Sequence, residues 1–156
     1  MKLGWAALTT VLVLSALMPR AAAAQQGSPT TQQPPRDRNS GFGLGQNYPN
    51  PFNPETRIPF TVGDPPTCTD PNRQYRVTLR VYNLLAQVVA VPVLQGGTGE
   101  VAGGQPLENV LLTCKQYTAY WNGKYQYSER EVASGIYLYR LEVDGRAVVK
   151  KMIVMK

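Results

Sequence analysis

Residues 47–54 read Asn-Tyr-Pro-Asn-Pro-Phe-Asn-Pro and lead straight into an alternating stretch at 56–62. We call residues 47–54 the proline run. Its prolines fix their own φ and push each preceding residue out of the helical region, so the run is extended or turning. Its asparagines can bond their own backbone two residues on. A proline-rich segment cannot build a core alone, so Tyr48 and Phe52 are predicted to dock as apolar anchors on a folded body.

Short strands separated by turns are predicted after the proline run, because no helical periodicity of useful length is found there. Apolar residues alternate through 58–62, and Pro59, which cannot donate to a ladder, predicts an edge strand. Residues 75–82 alternate most regularly and predict a central strand. Residues 88–94 predict one further strand, with Pro92 marking an edge. Two more strands are predicted at 107–113 and 116–121, and Trp121 is expected near the centre of the core.

Residues 136–143 and 146–155 flank Asp144-Gly145, a dipeptide that favours a two-residue hairpin turn. Such a turn sets the register of the two strands. The predicted cross-strand pairs are Leu141 with Val148, Tyr139 with Lys150, and Tyr137 with Met152. Six to eight short strands in about 115 residues predict an antiparallel β-sandwich.

The amino-terminal residues have the features of a signal peptide. Lys2 supplies a positive region, 3–18 are apolar, and Ala22-Ala23-Ala24 is a small-residue cleavage site. We therefore predict a signal peptide over 1–24, export through the inner membrane, and no stable transmembrane segment after cleavage; a membrane anchor is the alternative. Residues 25–40, rich in Gln, Pro and Thr, predict a disordered linker. Residues 41–156 are expected to form one domain.

The net charge bears on the kind of partner, and the two cysteines bear on covalent cross-linking. The formal net charge is +6, and the basic residues are scattered apart from the tail at 150–156, so no nucleic-acid partner is expected. Cys68 and Cys114 are the two cysteines of a chain expected in an oxidising compartment, and they predict one disulfide. Two buried free thiols are the alternative.

The sequence lacks the side chains that catalysis most often uses. The sequence has no histidine, which removes the commonest general base and every histidine-dependent nucleophile pair. Glu129 and Glu131 stand two apart in a turn and are interpreted as solvated charges. Two cysteines cannot close a structural zinc site alone. We expect a non-enzymatic protein with no catalytic residue, no metal and no cofactor.

Tyrosine is the one residue type that indicates a binding face. Nine tyrosines occur in the chain, and amphipathic rings are favoured at interfaces. Tyr125 and Tyr127 are predicted to be an exposed pair that could contact carbohydrate or protein. The alternative is that strands simply favour aromatic residues.

Four blocks of the chain, in order, carry a family resemblance. Residues 47–62, 77–87, 121–123 and, near the carboxyl end, 132–141 with the tail at 150–156 resemble the C-terminal sorting domain of the type IX secretion system, type A. That family is similar to the immunoglobulin-like domain of flagellar hook-capping proteins. The resemblance covers nearly everything after residue 41 and implies an immunoglobulin-like sandwich of about seven strands.

In that family the domain is the address of an exported cargo, recognised by secretion machinery at the outer membrane and often removed by a sortase-like peptidase. The resemblance therefore implies an outer-membrane protein partner and a secreted or cell-surface location. The positions that match the family motif are Tyr48, Pro49, Pro51, Phe52, Asn53 and Pro54 in the proline run, and Gly135, Tyr137, Lys150, Lys151 and Lys156 near the carboxyl end.

The chain also departs from the family pattern. Ala86 stands where the family usually has glycine, Asn122 replaces the usual aspartate, and 127–131 lack the family's turn glycine. Only the predicted linker separates the signal peptide from the domain, so a second function class is also expected. In that class the chain is a self-assembling subunit of a surface fibre, with 25–40 available for strand donation.

Overall fold

The structure, a computed structural model, describes residues 41–96 and 103–156. The predicted signal peptide and linker, 1–40, lie outside the described residues. So do residues 97–102. The described part of the chain consists of strands, turns and irregular backbone, without a helix.

Nine strands occur in the described residues, two more than the seven expected, because the chain adds short strands to the two sheets. They are β1 (Phe42–Leu44), β2 (Thr56–Val62), β3 (Gln74–Tyr82), β4 (Val88–Ala90), β5 (Val93–Leu94), β6 (Val110–Thr113), β7 (Lys115–Trp121), β8 (Gly135–Val143) and β9 (Arg146–Val154).

The nine strands form two antiparallel sheets. One has the order β1-β2-β7-β5, and the other has the order β4-β3-β8-β9, with β6 also paired to β3. These orders correspond to the ABED and C′CFG sheets of an immunoglobulin sandwich, with β6 as an addition between strands D and E. The predicted all-β, immunoglobulin-like sandwich is therefore confirmed. As predicted, β3 is central, because β8 flanks it on one side and β4 and β6 on the other.

Both sheets bury alternate residues in one core. In β2 the buried apolar side chains are Ile58, Phe60 and Val62, and β3 and β8 contribute rows of their own. Trp121 is buried among them, as expected. The β8–β9 hairpin has the predicted register, with Leu141 opposite Val148, Tyr139 opposite Lys150, and Tyr137 opposite Met152.

Two predictions about edges are wrong. The strand β2 is not an edge, because β1 pairs with it from Phe60 to Val62. Pro59 lies one residue beyond the end of that ladder, where its carbonyl accepts a hydrogen bond from Gly45 N (2.7 Å). Residues 88–94 do not form one strand either. Pro92 separates β4 from β5, and the chain crosses there from one sheet to the other.

Cys68 and Cys114 form the predicted disulfide, with an S–S distance of 2.06 Å. Cys68 lies in the loop between β2 and β3. Cys114 lies between β6 and β7, which belong to different sheets. The bond therefore ties a long surface loop to the point where the chain passes between the two layers.

Candidate functional site

The proline run lies along the outer edge of β9. Phe52 N donates to Ile153 O (3.1 Å), and Met155 N donates to Phe52 O (3.0 Å). Ile153 N donates to the side-chain oxygen of Asn50 (3.0 Å). An edge strand normally exposes such groups to unwanted pairing. Residues about a hundred positions apart thus form one surface, which we call the joint edge (residues 47–54 with 151–156).

Asn47 fixes the turn at the start of the proline run. This residue is only 2% exposed, and its Nδ2 donates to Pro49 O (3.1 Å) and Thr56 Oγ1 (3.0 Å). Thr56 Oγ1 in turn donates to Pro49 O (3.0 Å). A buried amide must be hydrogen-bonded to avoid a desolvation penalty, and these contacts satisfy it locally. The prediction of local asparagine bonding therefore holds for Asn47, whereas Asn50 bonds to β9 instead.

Tyr139 joins this turn to the core of the sandwich. Its hydroxyl donates to Gly45 O (2.8 Å) and accepts a hydrogen bond from Asn47 N (3.1 Å). The side chain is fully buried, and this burial raises the pKa of Tyr139 to about 12. The phenol therefore stays protonated at neutral pH and can hold both backbone groups at once.

Phe52 docks as predicted, but Tyr48 does not. The Phe52 ring is buried, and its centroid lies 5.5 Å from that of Trp121 in an edge-to-face contact. Trp121 makes a second edge contact with Tyr137 at 6.0 Å. Tyr48 is 50% exposed. Its backbone N and O both pair with Arg57 (2.9 Å each), which leaves the side chain on the outside of the sheet.

The turn after β7 packs against the end of the proline run. A Cβ atom added to Gly123 would lie 2.1 Å from Pro54 O, and the φ of Gly123 is +72°. Both the close approach and the left-handed backbone require glycine at this position. The Asn122-Gly123 turn thus holds Pro54 in place.

Near the carboxyl end, Tyr137 and Gly135 contribute to the fold of the domain. Tyr137 is buried and donates its hydroxyl to Ala133 O (3.0 Å). Burial raises the pKa of this phenol. Gly135 opens β8 opposite Val154 with a φ of +154°, a backbone conformation that other residues rarely adopt. Neither residue presents a side chain that a partner could bind.

The three lysines of the tail occupy three different surroundings. Lys150 is half-buried opposite Tyr139, and Lys151 is exposed opposite Leu138. Lys156 forms an ion pair with Glu131 (2.8 Å), and this hydrogen-bonded cation lowers the pKa of the Glu131 carboxyl. The tail therefore does not form a basic cluster.

The joint edge presents exposed rings and apolar side chains to the solvent. Met155 is 60% exposed. The other exposed members are Tyr48, Pro49, Asn50, Pro51, Asn53, Pro54, Lys151, Ile153 and Lys156. Seven of the eleven sequence-predicted recognition residues are among them, and the structure brings both ends of the predicted motif to one edge.

Of the predicted tyrosine pair, only Tyr127 is exposed on the surface. It is 97% exposed, whereas Tyr125 is half-buried and packs against the core. The Arg130 guanidinium covers the Tyr125 ring, with its carbon 4.8 Å from the ring centroid. The prediction that Tyr125 is exposed is therefore wrong.

Sequence reasoning missed the structural role of Thr56 and Tyr139. Their pairing with Asn47 spans up to 92 residues, so no local pattern indicates it. The sequence also does not indicate that Gly123 lies against the Pro54 carbonyl, although both Trp121 and Gly123 stand at the end of β7. Met155 gives no signal beyond its place at the end of an alternating stretch.

Within residues 41–96 and 103–156, no group of three or more His, Cys, Asp and Glu side chains could hold a metal ion. Over the same residues, no helix has the length and apolar character needed to cross a membrane. Comparison of the chain with family models, with curated proteins and with solved structures finds no match in any of the three.

Proposed function

We propose that this chain is an exported, non-enzymatic protein whose sandwich is a sorting-type domain of the type IX secretion kind. It would direct secretion or cell-surface attachment through protein machinery at the outer membrane. The observation that carries the proposal is the joint edge. The proline run, which opens the first block of the resemblance, and residues 151–156 of the closing tail lie against each other as one surface.

A departure from the family pattern gives further support. Ala86 stands where the family usually has glycine, and its φ is +59°. That is the left-handed region in which glycine is the least strained residue. The backbone of this chain therefore has, at that position, the conformation that the family pattern implies.

In this proposal the sorting signal is the joint edge, and the joint edge forms only when the domain is folded. It needs β9 to be paired with β8 and the proline run to be fixed by Asn47 and Phe52. An unfolded chain would not bring these segments together. In this proposal the buried residues hold the surface, and the exposed Tyr48 and Met155 contact the machinery.

Export of a reporter tests the proposal. Residues 41–156 are fused behind a signal peptide and a reporter, in a host with the type IX system, and the reporter is measured in the medium and on the cell surface. We expect export with the unaltered domain. Substituting Tyr48→Ala and Met155→Ala together should retain the reporter in the periplasm, because both side chains lie on the joint edge.

The matched control is Leu84→Ala with Leu85→Ala, which removes two exposed leucines from the β3–β4 loop. This control should be exported normally. Deleting 150–156 is a less specific variant, because it also removes the buried Met152 and Val154. Periplasmic retention of the unaltered fusion, or export of the Tyr48 and Met155 variant at the control level, would contradict the proposal.

A second candidate function is a self-assembling surface subunit. It is favoured by exposed apolar side chains on the outer face of the β3-β8-β9 sheet, namely Ile136, Val149 and Ile153. Faces of this kind commonly mark protein contacts. Light scattering of the purified chain across a concentration series tests this candidate, and a monomer at every concentration would exclude it.

A further inference from the structure

A cleft of about 470 Å3 lies beside β7, between β5 and the loop at 122–131. This volume is within the range of small-molecule sites. The cleft is separate from the joint edge, and its wall combines aromatic rings with amide and hydroxyl groups. The aromatic lining residues are Tyr120, Trp121, Tyr125 and Tyr127, and the neutral polar ones are Asn122, Gln126 and Ser128.

The loop that carries Tyr127 is held by backbone hydrogen bonds. Val132 N donates to Gly123 O (2.8 Å), closing the base of the loop, and Tyr125 N donates to Arg130 O (3.0 Å). Gln126 N donates to Val89 O (2.8 Å), which ties the loop to β4. A site that is already ordered avoids the entropy cost of ordering on binding.

Tyr127 itself has no packing role in this loop. Its ring is 97% exposed, and its backbone has a φ of +62°. A bulky residue in the left-handed region is strained, and such strain concentrates at functional sites. Glycine or asparagine would fit the same turn with less strain. The exposed ring is therefore better explained by binding than by folding.

Tyr120 provides a second fixed ring in the lining of the cleft. Its hydroxyl donates to Glu55 Oε2 (2.6 Å), which anchors the ring on the outer side of β7. Tyr125 also lines the cleft, with its ring covered by Arg130. The lining therefore includes aromatic side chains both from β7 and from the loop at 122–131.

The charged residues of the cleft are already paired with each other or with neighbours. Lys124 forms an ion pair with Glu129, and Glu108 pairs with Arg80 (2.8 Å). The remaining polar lining groups are neutral. A ligand that suits this wall is uncharged, has an apolar face for stacking, and carries hydroxyls at its edge. A pyranose ring has all three properties.

An extended peptide would need an open strand edge, and the backbone of β5 is already paired at this place. Leu94 N donates to Gln105 O (2.8 Å), and Leu107 N donates to Pro92 O (2.9 Å). Strand addition therefore has no free ladder there. The wall favours a saccharide over a peptide.

We propose that this cleft binds a neutral oligosaccharide. The sugar rings stack on Tyr127 and Tyr120 and hydrogen-bond to Asn122, Gln126 and Ser128. This function goes beyond sorting and does not depend on it, because the cleft and the joint edge use different exposed side chains.

Calorimetric titration of the full chain with four neutral hexasaccharides tests the inference: cellohexaose, laminarihexaose, maltohexaose and chitohexaose. We expect at least one to bind with a Kd between about 10 µM and about 1 mM. Tyr127→Ala should weaken that binding about tenfold through loss of the stacking ring. Tyr127→Phe keeps the ring and should retain most of the affinity.

The matched control is Leu85→Ala, which truncates another exposed loop side chain and should bind as the unaltered chain does. Thermal unfolding of each variant checks that the fold is kept. Absence of binding to all four hexasaccharides at about 5 mM would overturn the inference. So would unchanged affinity in Tyr127→Ala, or binding of an unstructured peptide library in the cleft without any saccharide binding.

Discussion

The two outer edges of the sandwich are covered in different ways. At the β9 edge, two backbone hydrogen bonds of Phe52 hold the proline run, together with the Asn50 side chain, a buried ring and a buried asparagine. At the β5 edge, residues 104–107 are held by backbone hydrogen bonds, with Leu94 N donating to Gln105 O and Gly104 N donating to Leu94 O (2.7 Å). The first cover adds side-chain contacts at fixed positions to its backbone pairing, whereas the hydrogen bonds of the second join backbone groups.

This difference determines where sequence carries information. A cover built from side chains constrains the residues at fixed positions, and a cover built from backbone does not. The residues at fixed positions of the β9 edge can therefore form a recognition motif. At the β5 edge, an exposed residue such as Gln105 can change with little effect on the fold, whereas Leu107 belongs to the core.

The largest expected effect concerns the disulfide, a covalent tie that belongs to neither edge cover. Replacing both Cys68 and Cys114 with Ala should lower the free energy of unfolding by about 4 kcal/mol, because a closed loop of about 46 residues is released in the unfolded chain. Urea unfolding of the variant and the unaltered chain measures the difference. An unfolding midpoint that is the same with and without the disulfide would contradict this account.

The next largest effect concerns the Tyr139 phenol and the dependence of stability on pH. Burial raises the pKa of Tyr139 to about 12, against about 10 in an unfolded chain. Below about pH 10 the phenol is protonated in both states, so its contribution to stability is complete. Above that pH the unfolded phenol ionises first, so stability falls by about 2.7 kcal/mol between about pH 10 and pH 12.

The Tyr139→Phe variant separates the loss of stability caused by Tyr139 ionisation from other losses of stability at alkaline pH. The variant should be less stable at neutral pH, because it loses the bonds to Gly45 and Asn47. Its stability should then fall less steeply than that of the unaltered chain above about pH 10. Equal alkaline slopes in the two proteins would show that Tyr139 does not titrate as described.

Truncating Asn47 should have a smaller effect. Asn47→Ala leaves Thr56 Oγ1 and Pro49 O without the amide donor inside a buried turn. We expect a loss of about 2 kcal/mol in the free energy of unfolding. Chemical denaturation measures it, and a loss below about 0.5 kcal/mol would mean that the amide network does not hold the proline run.

The smallest effect is expected at the corresponding position of the β5 edge. Gln105 is exposed, and its backbone carbonyl makes the bond to Leu94. Gln105→Ala should therefore change the free energy of unfolding by no more than about 0.5 kcal/mol. The same denaturation series measures it. A loss as large as that of Asn47→Ala would remove the distinction between the two edges.

Local patterns were sufficient to predict much of the fold. The alternation in β3, the Asp144-Gly145 turn and the count of two cysteines each depend on a few neighbouring residues or on simple pairing, and each prediction is confirmed. The burial of Phe52 was also predictable, because an aromatic residue between prolines must find its core elsewhere.

The wrong predictions involve partners far along the chain. Pro59 wrongly indicates an edge strand, because the pairing of β1 with β2 cannot be inferred from the sequence of β2 alone. Pro92 was expected to mark an edge, yet it marks the crossing between sheets. The direction of the Tyr48 side chain depends on its backbone pairing with Arg57. Such contacts are set by the whole fold.

Amide hydrogen exchange at Ile153 and Met155 tests the joint edge most directly. The Ile153 amide lies on the outer side of β9 and the Met155 amide one residue beyond its end, and they are protected only if Asn50 and Phe52 accept their hydrogen bonds. We predict slow exchange at both positions in the unaltered chain, and faster exchange at Ile153 in Asn50→Ala. Exchange of both amides at the rate of an unpaired strand edge would contradict the account.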